Sequence, residues 1–162
     1  MRSSAIMTSG NIALLVVGIV LGVLAIQAAI WIPLLGWMRR RSARLVAALN
    51  EELAASGEPP IRGPESALYR GSSGSHSRVK GNGVLALTSR RLIFHKLVGQ
   101  PVEVPLDQIV GLREDKWFLG AYRSGRPHVI LQLREGGEVG FMVRDHTGWM
   151  EAMRRVTRVA AA

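Results

Sequence analysis

The sequence contains no cysteine, and this absence excludes several kinds of chemistry at once. Disulfides, thiolate zinc sites, iron–sulfur clusters and cysteine nucleophiles all require that side chain. Lysine is scarce too, because Lys80, Lys96 and Lys116 are the only lysines among 21 basic residues. The 162 residues carry a formal net charge of +9 and have room for one ordinary domain and an appendage. Such heavy use of arginine, alanine and glycine is typical of bacterial proteins encoded by GC-rich genomes.

Catalytic and metal-binding patterns are also missing from the sequence. The four histidines are far apart and show none of the HxH, HxxxH or HExxH spacings of metal sites. Glu114 and Asp115 form an acidic doublet, but adjacent residues of a strand point to opposite faces. The glycine-rich stretch from Gly71 to Gly83 lacks the Gly-Lys-Ser/Thr of a phosphate loop. We therefore expect a protein that is not an enzyme and needs no metal or cofactor.

A second absence marks the N-terminal region, where no charged side chain lies between Arg2 and Arg39. The run from Ile12 to Met38 is apolar apart from Gln27. A bilayer core of ~30 Å needs about 20 apolar residues in a helix. The pattern predicts a transmembrane anchor over residues 1–38, in which Pro33 and Gly36 loosen the last turns.

A cleaved signal peptide is the alternative interpretation of this apolar run. Its hydrophobic region should be short and should stop at a small-residue cleavage site, for which Ala28 and Ala29 are the candidates. The run instead continues through Trp31, Ile32 and Leu35, which favours retention as an anchor.

Arginines follow the apolar run directly, whereas only Arg2 and the terminal amine precede it. The positive-inside rule predicts a single-pass protein of the bacterial inner membrane, with its N-terminus outside and its C-terminal domain in the cytoplasm. Tryptophans near the same end fit an aromatic belt. The predicted membrane-interface residues are Trp31, Trp37, Arg39, Arg40, Arg41 and Arg44.

Gly18 and Gly22 have the GxxxG spacing that lets two membrane helices approach closely. This spacing leaves two interpretations open. The glycines form a helix-pairing face for a homodimer or a membrane-protein partner, or they reflect only the high frequency of glycine in membrane helices.

Residues 39–64 are predicted to form a juxtamembrane helix and a linker. Leu45, Val46, Leu49 and Leu53 recur at helical spacing, and Gly57 should end the helix. The helix is either an interfacial amphipathic helix on anionic lipid or a connector packed on the following domain. The linker predicts that residues 61–162 are soluble without the span.

From Glu65 onward the hydrophobic period changes to two, which indicates short strands. The predicted strands are Ala67–Arg70, Val84–Thr88, Arg91–His95, Val102–Val104, Ile109 extending through Trp117, His128–Arg134 and Glu138–Val143. A helix should follow Asp145, with Trp149, Met153 and Val156 on one face. The predicted fold of residues 65–162 is a mainly-β barrel of about seven antiparallel strands, capped by a C-terminal α-helix.

The segment Gly83–Phe94, GVLALTSRRLIF, resembles the pattern Gly-x-Leu-x-Leu-Thr-x-x-Arg-Leu-Ile-Phe of GRAM-type and bacterial pleckstrin-homology-like domains. The segment Val104–Ile109 is similar to the strand, Pro-Leu, acidic residue and Ile that follow in that family. The resemblance covers roughly residues 65–159 and implies a pleckstrin-homology barrel of two near-orthogonal sheets.

Basic residues flank the first two strands and their loop in lipid-binding members of that family. The resemblance therefore implies a set of lipid- or anion-binding candidates. They are Arg70, Arg78, Lys80, Arg90, Arg91 and Lys96. Residues 61–162 carry 16 basic and 9 acidic side chains, a net charge of +7. The alternative to a headgroup pocket is a solvated basic face that attracts anionic lipid loosely.

Two functions are compatible with these patterns. One is a membrane-tethered, non-catalytic binding module that engages anionic lipid headgroups or a membrane-associated protein. The other is an accessory or scaffold subunit of a larger membrane complex. Trp117 and Phe118 form a candidate partner surface. Nucleic acid is not an expected partner, because interleaved aromatics are missing and the domain is tethered to a membrane.

Overall fold

Residues 9–122 and 125–157 are described by the structure, which is a computed structural model. The chain divides between Arg40 and Arg41 into two compact units. Helix α1 spans Ser9–Ala55 and contains Pro33. The stretch Ile12–Ala55 is a helix long and apolar enough to cross a membrane. This confirms the predicted apolar helix near the N-terminus, although Pro33 does not end it.

The second unit holds nine strands and a second helix in the described part of the chain. The strands are β1 Arg62–Ser72, β2 Gly81–Leu87, β3 Arg91–Lys96, β4 Val102–Pro105, β5 Ile109–Asp115, β6 Trp117–Phe118, β7 Ala121–Tyr122, β8 His128–Leu133 and β9 Glu138–Met142. Helix α2 spans His146–Thr157, and a 3₁₀ turn over Leu106–Gln108 joins β4 to β5.

Seven strands form one antiparallel sheet in the order β4-β3-β2-β1-β9-β8-β5, and β6 and β7 form a separate hairpin. The predicted fold class, an N-terminal apolar helix and a mainly-β domain of seven antiparallel strands with a C-terminal helix, is thereby confirmed. The sheet is not a closed barrel, because its two edge strands, β4 and β5, do not pair with each other. Leu106, in the turn between these strands, is buried in the core.

All seven strands contribute side chains to the main core. At its centre the rings of Tyr69, Phe94 and Phe141 pack against one another with centroid distances of 5.4–5.7 Å. Trp149 and Met153 of α2 complete this core and are buried, as their predicted helical phase requires. The helix begins where expected, since the Asp145 carboxylate accepts a hydrogen bond from the Gly148 backbone N–H at 3.1 Å.

The segment Gly83–Phe94 forms the β2–β3 hairpin. A β-carbon on Gly83 would lie 2.2 Å from the His95 carbonyl oxygen, so only glycine allows the two strands to approach here. The Thr88 hydroxyl oxygen accepts hydrogen bonds from the backbone N–H groups of Arg90 and Arg91, at 3.2 and 3.1 Å. The glycine and the threonine of the motif therefore fix the register and the turn of this hairpin.

A second, smaller core lies on the outer face of β2 and β3. Leu49 and Leu53, near the end of α1, pack there against Val84, Ala86 and Ile93, and all five side chains are fully buried. Of the two readings of the juxtamembrane helix, the structure therefore supports a connector packed on the domain. A domain that started at residue 61 would lack this cover.

The sequence pattern misplaced several strand boundaries; β2, for example, begins at Gly81 and not at Val84. Strand β1 begins at Arg62, inside the predicted linker, because the backbone of Arg62–Glu65 pairs with the end of β2. Strand β5 ends at Asp115 and does not run through Trp117. The Asp115 carboxylate accepts a hydrogen bond from the Trp117 backbone N–H at 3.0 Å, which turns the chain into the β6–β7 hairpin.

Candidate lipid-binding surface

The loop between β1 and β2, residues 73–80, carries two of the predicted cations on its exposed side. Arg78 and Lys80 are exposed, and Val79 between them is 70% exposed. The loop is attached to β1, since the Tyr69 hydroxyl donates a hydrogen bond to the Ser77 carbonyl oxygen. His76 Nε2 also lies 3.0 Å from the Glu103 carbonyl oxygen of β4. These contacts order the loop while leaving its cations in solvent.

Lys96 supports this loop from inside the domain. Its side chain is buried, and its ammonium donates hydrogen bonds to the Ser77 hydroxyl at 3.0 Å and the Val79 carbonyl at 3.1 Å. The same ammonium lies 4.8 Å above the centre of the Tyr69 ring. Burial lowers the pKa of Lys96 below its ordinary value. Lys96 thus positions the loop and is not part of the exposed surface.

The loop between β3 and β4 lies at the same end of the domain. Its Leu97 backbone N–H donates to the Asn82 carbonyl oxygen at 2.8 Å, and Val98 is 73% exposed. Arg41, the first residue of the second compact unit, donates a hydrogen bond from Nε to the Leu97 carbonyl oxygen at 2.6 Å. We call Arg78, Val79, Lys80 and Val98 the loop surface; it combines two cations with two exposed apolar side chains.

Arg90 and Arg91 lie at the opposite end of β2, at the turn to β3. The Arg91 guanidinium meets Glu103 at 2.6 Å and Glu58 at 3.3 Å. The hydrogen bond to Glu103, foremost, raises the pKa of Arg91. Arg90 is exposed and lies 3.7 Å from Glu58. This pair follows β2, whereas the loop that carries Arg78 and Lys80 precedes it, and carboxylates hold Arg91, so the predicted set does not form one exposed site.

Arg70 lies on β1 with its side chain half-buried. Its Nε atom has no hydrogen-bond partner among the described residues, and its charge lies near His128. His128 is fully buried, with Nδ1 3.0 Å from the Asp115 carbonyl oxygen and no partner for Nε2 in the described part. Burial, foremost, and the Arg70 charge lower the pKa of His128. Arg70 therefore lies half-buried near a buried histidine and is not part of an exposed anion site.

The lowered pKa of His128 predicts a pH-dependent stability. The ordinary pKa of histidine is about 6.5. At pH values between the lowered pKa of the folded chain and this ordinary value, His128 binds a proton in the unfolded chain but not in the folded chain. The free energy of unfolding of residues 41–162 should therefore decrease as the pH falls from 7 to 5.5. His128→Gln should flatten this slope in urea titrations, and an unchanged slope would contradict the assignment. The pKa values of Asp115, Glu138 and Asp145 are lowered from ordinary values that already lie below this window.

The candidate partner surface at Trp117 and Phe118 divides into a buried and an exposed residue. Phe118 is 4% exposed, and its ring occupies the space that a β-carbon on Gly140 would need, 2.4 Å away. Trp117 is 60% exposed and stacks on Tyr122, with ring centroids 4.9 Å apart. Tyr122 was not among the predicted residues, because the predicted strand extends through Trp117 and the sequence pattern predicts no hairpin there.

The predicted membrane-interface residues lie on α1. Trp31, Trp37, Arg39, Arg40, Arg41 and Arg44 all have exposed side chains. Gly18 and Gly22 lie one turn apart on this helix, and nothing lies within 4 Å of the position that a β-carbon would take at either one. Within residues 9–122 and 125–157, no group of three or more metal-ligating side chains is placed to hold a metal ion.

Comparison with known proteins adds a likeness of fold. No protein-family model matches the chain, and no curated protein matches it. The chain is similar to the crystal structure of the C-terminal domain of an unknown protein from Leishmania infantum, with a TM-score of 0.51 and 11% sequence identity. The match covers 69% of this chain and 96% of that one. At this identity the likeness shows the shared fold alone.

Proposed function

We propose that this protein is a membrane-tethered, non-catalytic binding module whose cytoplasmic domain engages an anionic lipid surface. The observation that carries the proposal is the hydrogen bond from Arg41 to Leu97, which holds the loop that carries Val98 beside a residue three positions after the apolar segment. Met38 ends that apolar run, and three residues of chain reach at most about 11 Å. The tether thus keeps the loop surface within reach of the membrane.

The exposed apolar side chains of α1 support the tether. Ile19, Leu21 and Ile26 are each about 60% exposed, and the exposed large apolar side chains between Ile12 and Leu35 range from 41 to 73%. Each such side chain gains about 1.5–3 kcal/mol by leaving water, and a bilayer provides that environment along the whole segment. The arginines at positions 39, 40, 41 and 44 favour the orientation with the domain in the cytoplasm of a bacterium.

The chemistry of the loop surface fits anionic lipid. Cationic side chains near a membrane surface contribute about 1 kcal/mol each, and an arginine fork matches phosphate oxygens. The exposed valines add apolar area that can enter the headgroup region. The resemblance to GRAM-type domains supports the same use, because basic residues flank the first two strands and their loop in lipid-binding members, and Arg78 and Lys80 lie in the loop between β1 and β2.

An accessory or scaffold role in a membrane complex is the second candidate function. The observation that favours it is the open space beside Gly18 and Gly22, which share one face of α1. A second copy of the chain or another membrane helix could pack closely there. In that case the span would carry the binding and the loop surface would be secondary.

A label at Val79 tests the lipid proposal. The chain has no cysteine, so Val79→Cys places one nitroxide on the loop surface of the full-length protein in nanodiscs. We expect the label to be buried in phosphatidylglycerol discs and to stay in water in phosphatidylcholine discs. Arg78→Glu with Lys80→Glu should weaken docking by roughly 2–4 kcal/mol, and raising the salt concentration should weaken it too.

Arg154→Glu with Arg155→Glu is the matched control, since it makes the same change of charge on exposed positions of α2. We expect this control to keep the label buried. Equal loss in both variants would mean that only net charge matters. A label that stays in water in phosphatidylglycerol discs would overturn the lipid proposal and leave the scaffold role first.

A further inference from the structure

The β6–β7 hairpin presents an aromatic pair on a fixed base. Phe118 is buried against Gly140, and a β-carbon at Gly140 would collide with its ring, so the hairpin has a rigid support. Trp117 and Tyr122 point outward from that base, 60% and 52% exposed, with their rings stacked. Leu119 at the turn adds a third exposed apolar side chain. The hairpin therefore exposes a cluster of apolar side chains, and such a cluster is typical of an interaction surface.

The hairpin has an exposed cation on each side in the sequence. Lys116 directly precedes Trp117, and Arg126 follows the hairpin. Two acidic side chains lie in the same region, where Asp115 meets Arg113 at 3.1 Å and Glu114 lies 3.3 Å from His146 Nε2. Tryptophan and tyrosine rings flanked by cations match the interface of an anionic bilayer, where the rings enter the headgroup region and the cations meet phosphates.

The hairpin also adjoins the loop surface. A β-carbon on Gly71 would lie 3.5 Å from Leu119 Cδ1 and 2.9 Å from the Arg78 carbonyl oxygen. The turn of the hairpin and the loop that carries Arg78 therefore meet at one point of the domain. One membrane surface can therefore contact the loop surface and the hairpin at the same time.

We propose that the β6–β7 hairpin is a second membrane-contact element, which places Trp117 and Tyr122 in the interface of an anionic bilayer. This rests on the proposed function, because the loop surface and the hairpin would dock on the same membrane. The hairpin supplies aromatic insertion, whereas the loop surface supplies charge. An acidic protein surface is the other partner of compatible charge, and the experiment separates it from lipid.

Quenching of native tryptophan by brominated lipid tests the proposal in the full-length chain. The background Trp31→Phe/Trp37→Phe leaves Trp117 and the buried Trp149, which serves as an unquenched reference. The emission of Trp117 is the difference between this background and the same background with Trp117→Phe. In brominated phosphatidylglycerol nanodiscs we expect most of this Trp117 emission to be quenched. Brominated phosphatidylcholine discs should leave that emission intact. Lys116→Glu with Arg126→Glu should abolish the quenching, while an unchanged Trp149 emission maximum shows that the domain is folded.

A second reporter separates this proposal from the proposed function. In the Trp31→Phe/Trp37→Phe/Trp117→Phe background, Val79→Trp reports on the loop surface alone. Quenching at Val79→Trp without quenching of Trp117 would overturn the hairpin proposal and keep the lipid-binding function. Absence of quenching at both positions would overturn both. Equal quenching of Trp117 in neutral and anionic discs would overturn the assignment to anionic lipid.

Discussion

Replacing Trp149 by alanine is expected to lower the free energy of unfolding of residues 41–162 by about 3–5 kcal/mol. The indole is almost fully buried among side chains of the main core, so its removal leaves a large cavity. Its N–H also donates a hydrogen bond to the Glu65 carboxylate, and the Arg62 guanidinium lies 5.4 Å from the ring centroid. The variant therefore loses packing and removes a hydrogen-bond donor from the Glu65 carboxylate, while Arg62 keeps its ion pair with Asp145.

Urea unfolding followed by circular dichroism measures this effect. Arg154→Ala on the same helix is the control, and it should change the stability by less than about 0.5 kcal/mol because its side chain is exposed. If Trp149→Ala unfolded at the same urea concentration as the control, α2 would not close the core as the structure describes.

Removing residues 41–60 should have a comparably large effect. The fragment 61–162 would expose Val84, Ala86 and Ile93, which Leu49 and Leu53 cover in the structure. It would also lose Glu58, the carboxylate that accepts hydrogen bonds from Arg91 and Thr88. We expect fragment 41–162 to be soluble and folded, and fragment 61–162 to aggregate.

A point-mutant version avoids the ambiguity of aggregation. Leu49→Ala with Leu53→Ala in fragment 41–162 should lower the free energy of unfolding by about 4 kcal/mol or more, since each buried leucine contributes 2–5 kcal/mol. Ala47→Ser with Ala48→Ser, on the exposed side of the same helix, is the matched control. Equal stability of the two double mutants would show that α1 does not pack on the sheet.

The sequence predicted those parts of the fold that depend on local signals. The β2–β3 hairpin follows from two short apolar runs on either side of a Ser-Arg turn, and Thr88 forms the hydrogen bonds that close this turn. Asp145 and the spacing of Trp149 and Met153 likewise defined α2 and its buried face. In each case the residues that decide the structure lie within about ten positions of one another.

The packing of α1 on the sheet could not be decided in the same way. Leu49 and Leu53 form an apolar stripe that suits either a bilayer or a protein surface. The sequence did contain a signal for this packing, the continuous apolar run Val84–Leu87. A strand that is covered on one face only should alternate apolar with polar residues.

The predicted cations do not form one site for a related reason. Lys96 and Arg91 look like free cations in the sequence, but their partners are distant in the chain.

The topology of the chain in a bacterial cell membrane tests the central proposal most directly, because docking of the loop surface on the inner leaflet requires the domain to be in the cytoplasm. A reporter pair can be fused after Ala162, with one reporter active only in the cytoplasm and the other only in the periplasm. We predict activity of the cytoplasmic reporter alone, in agreement with the arginines at positions 39, 40, 41 and 44. Activity of the periplasmic reporter at this position would contradict the proposed orientation and, with it, a cytoplasmic lipid-binding module.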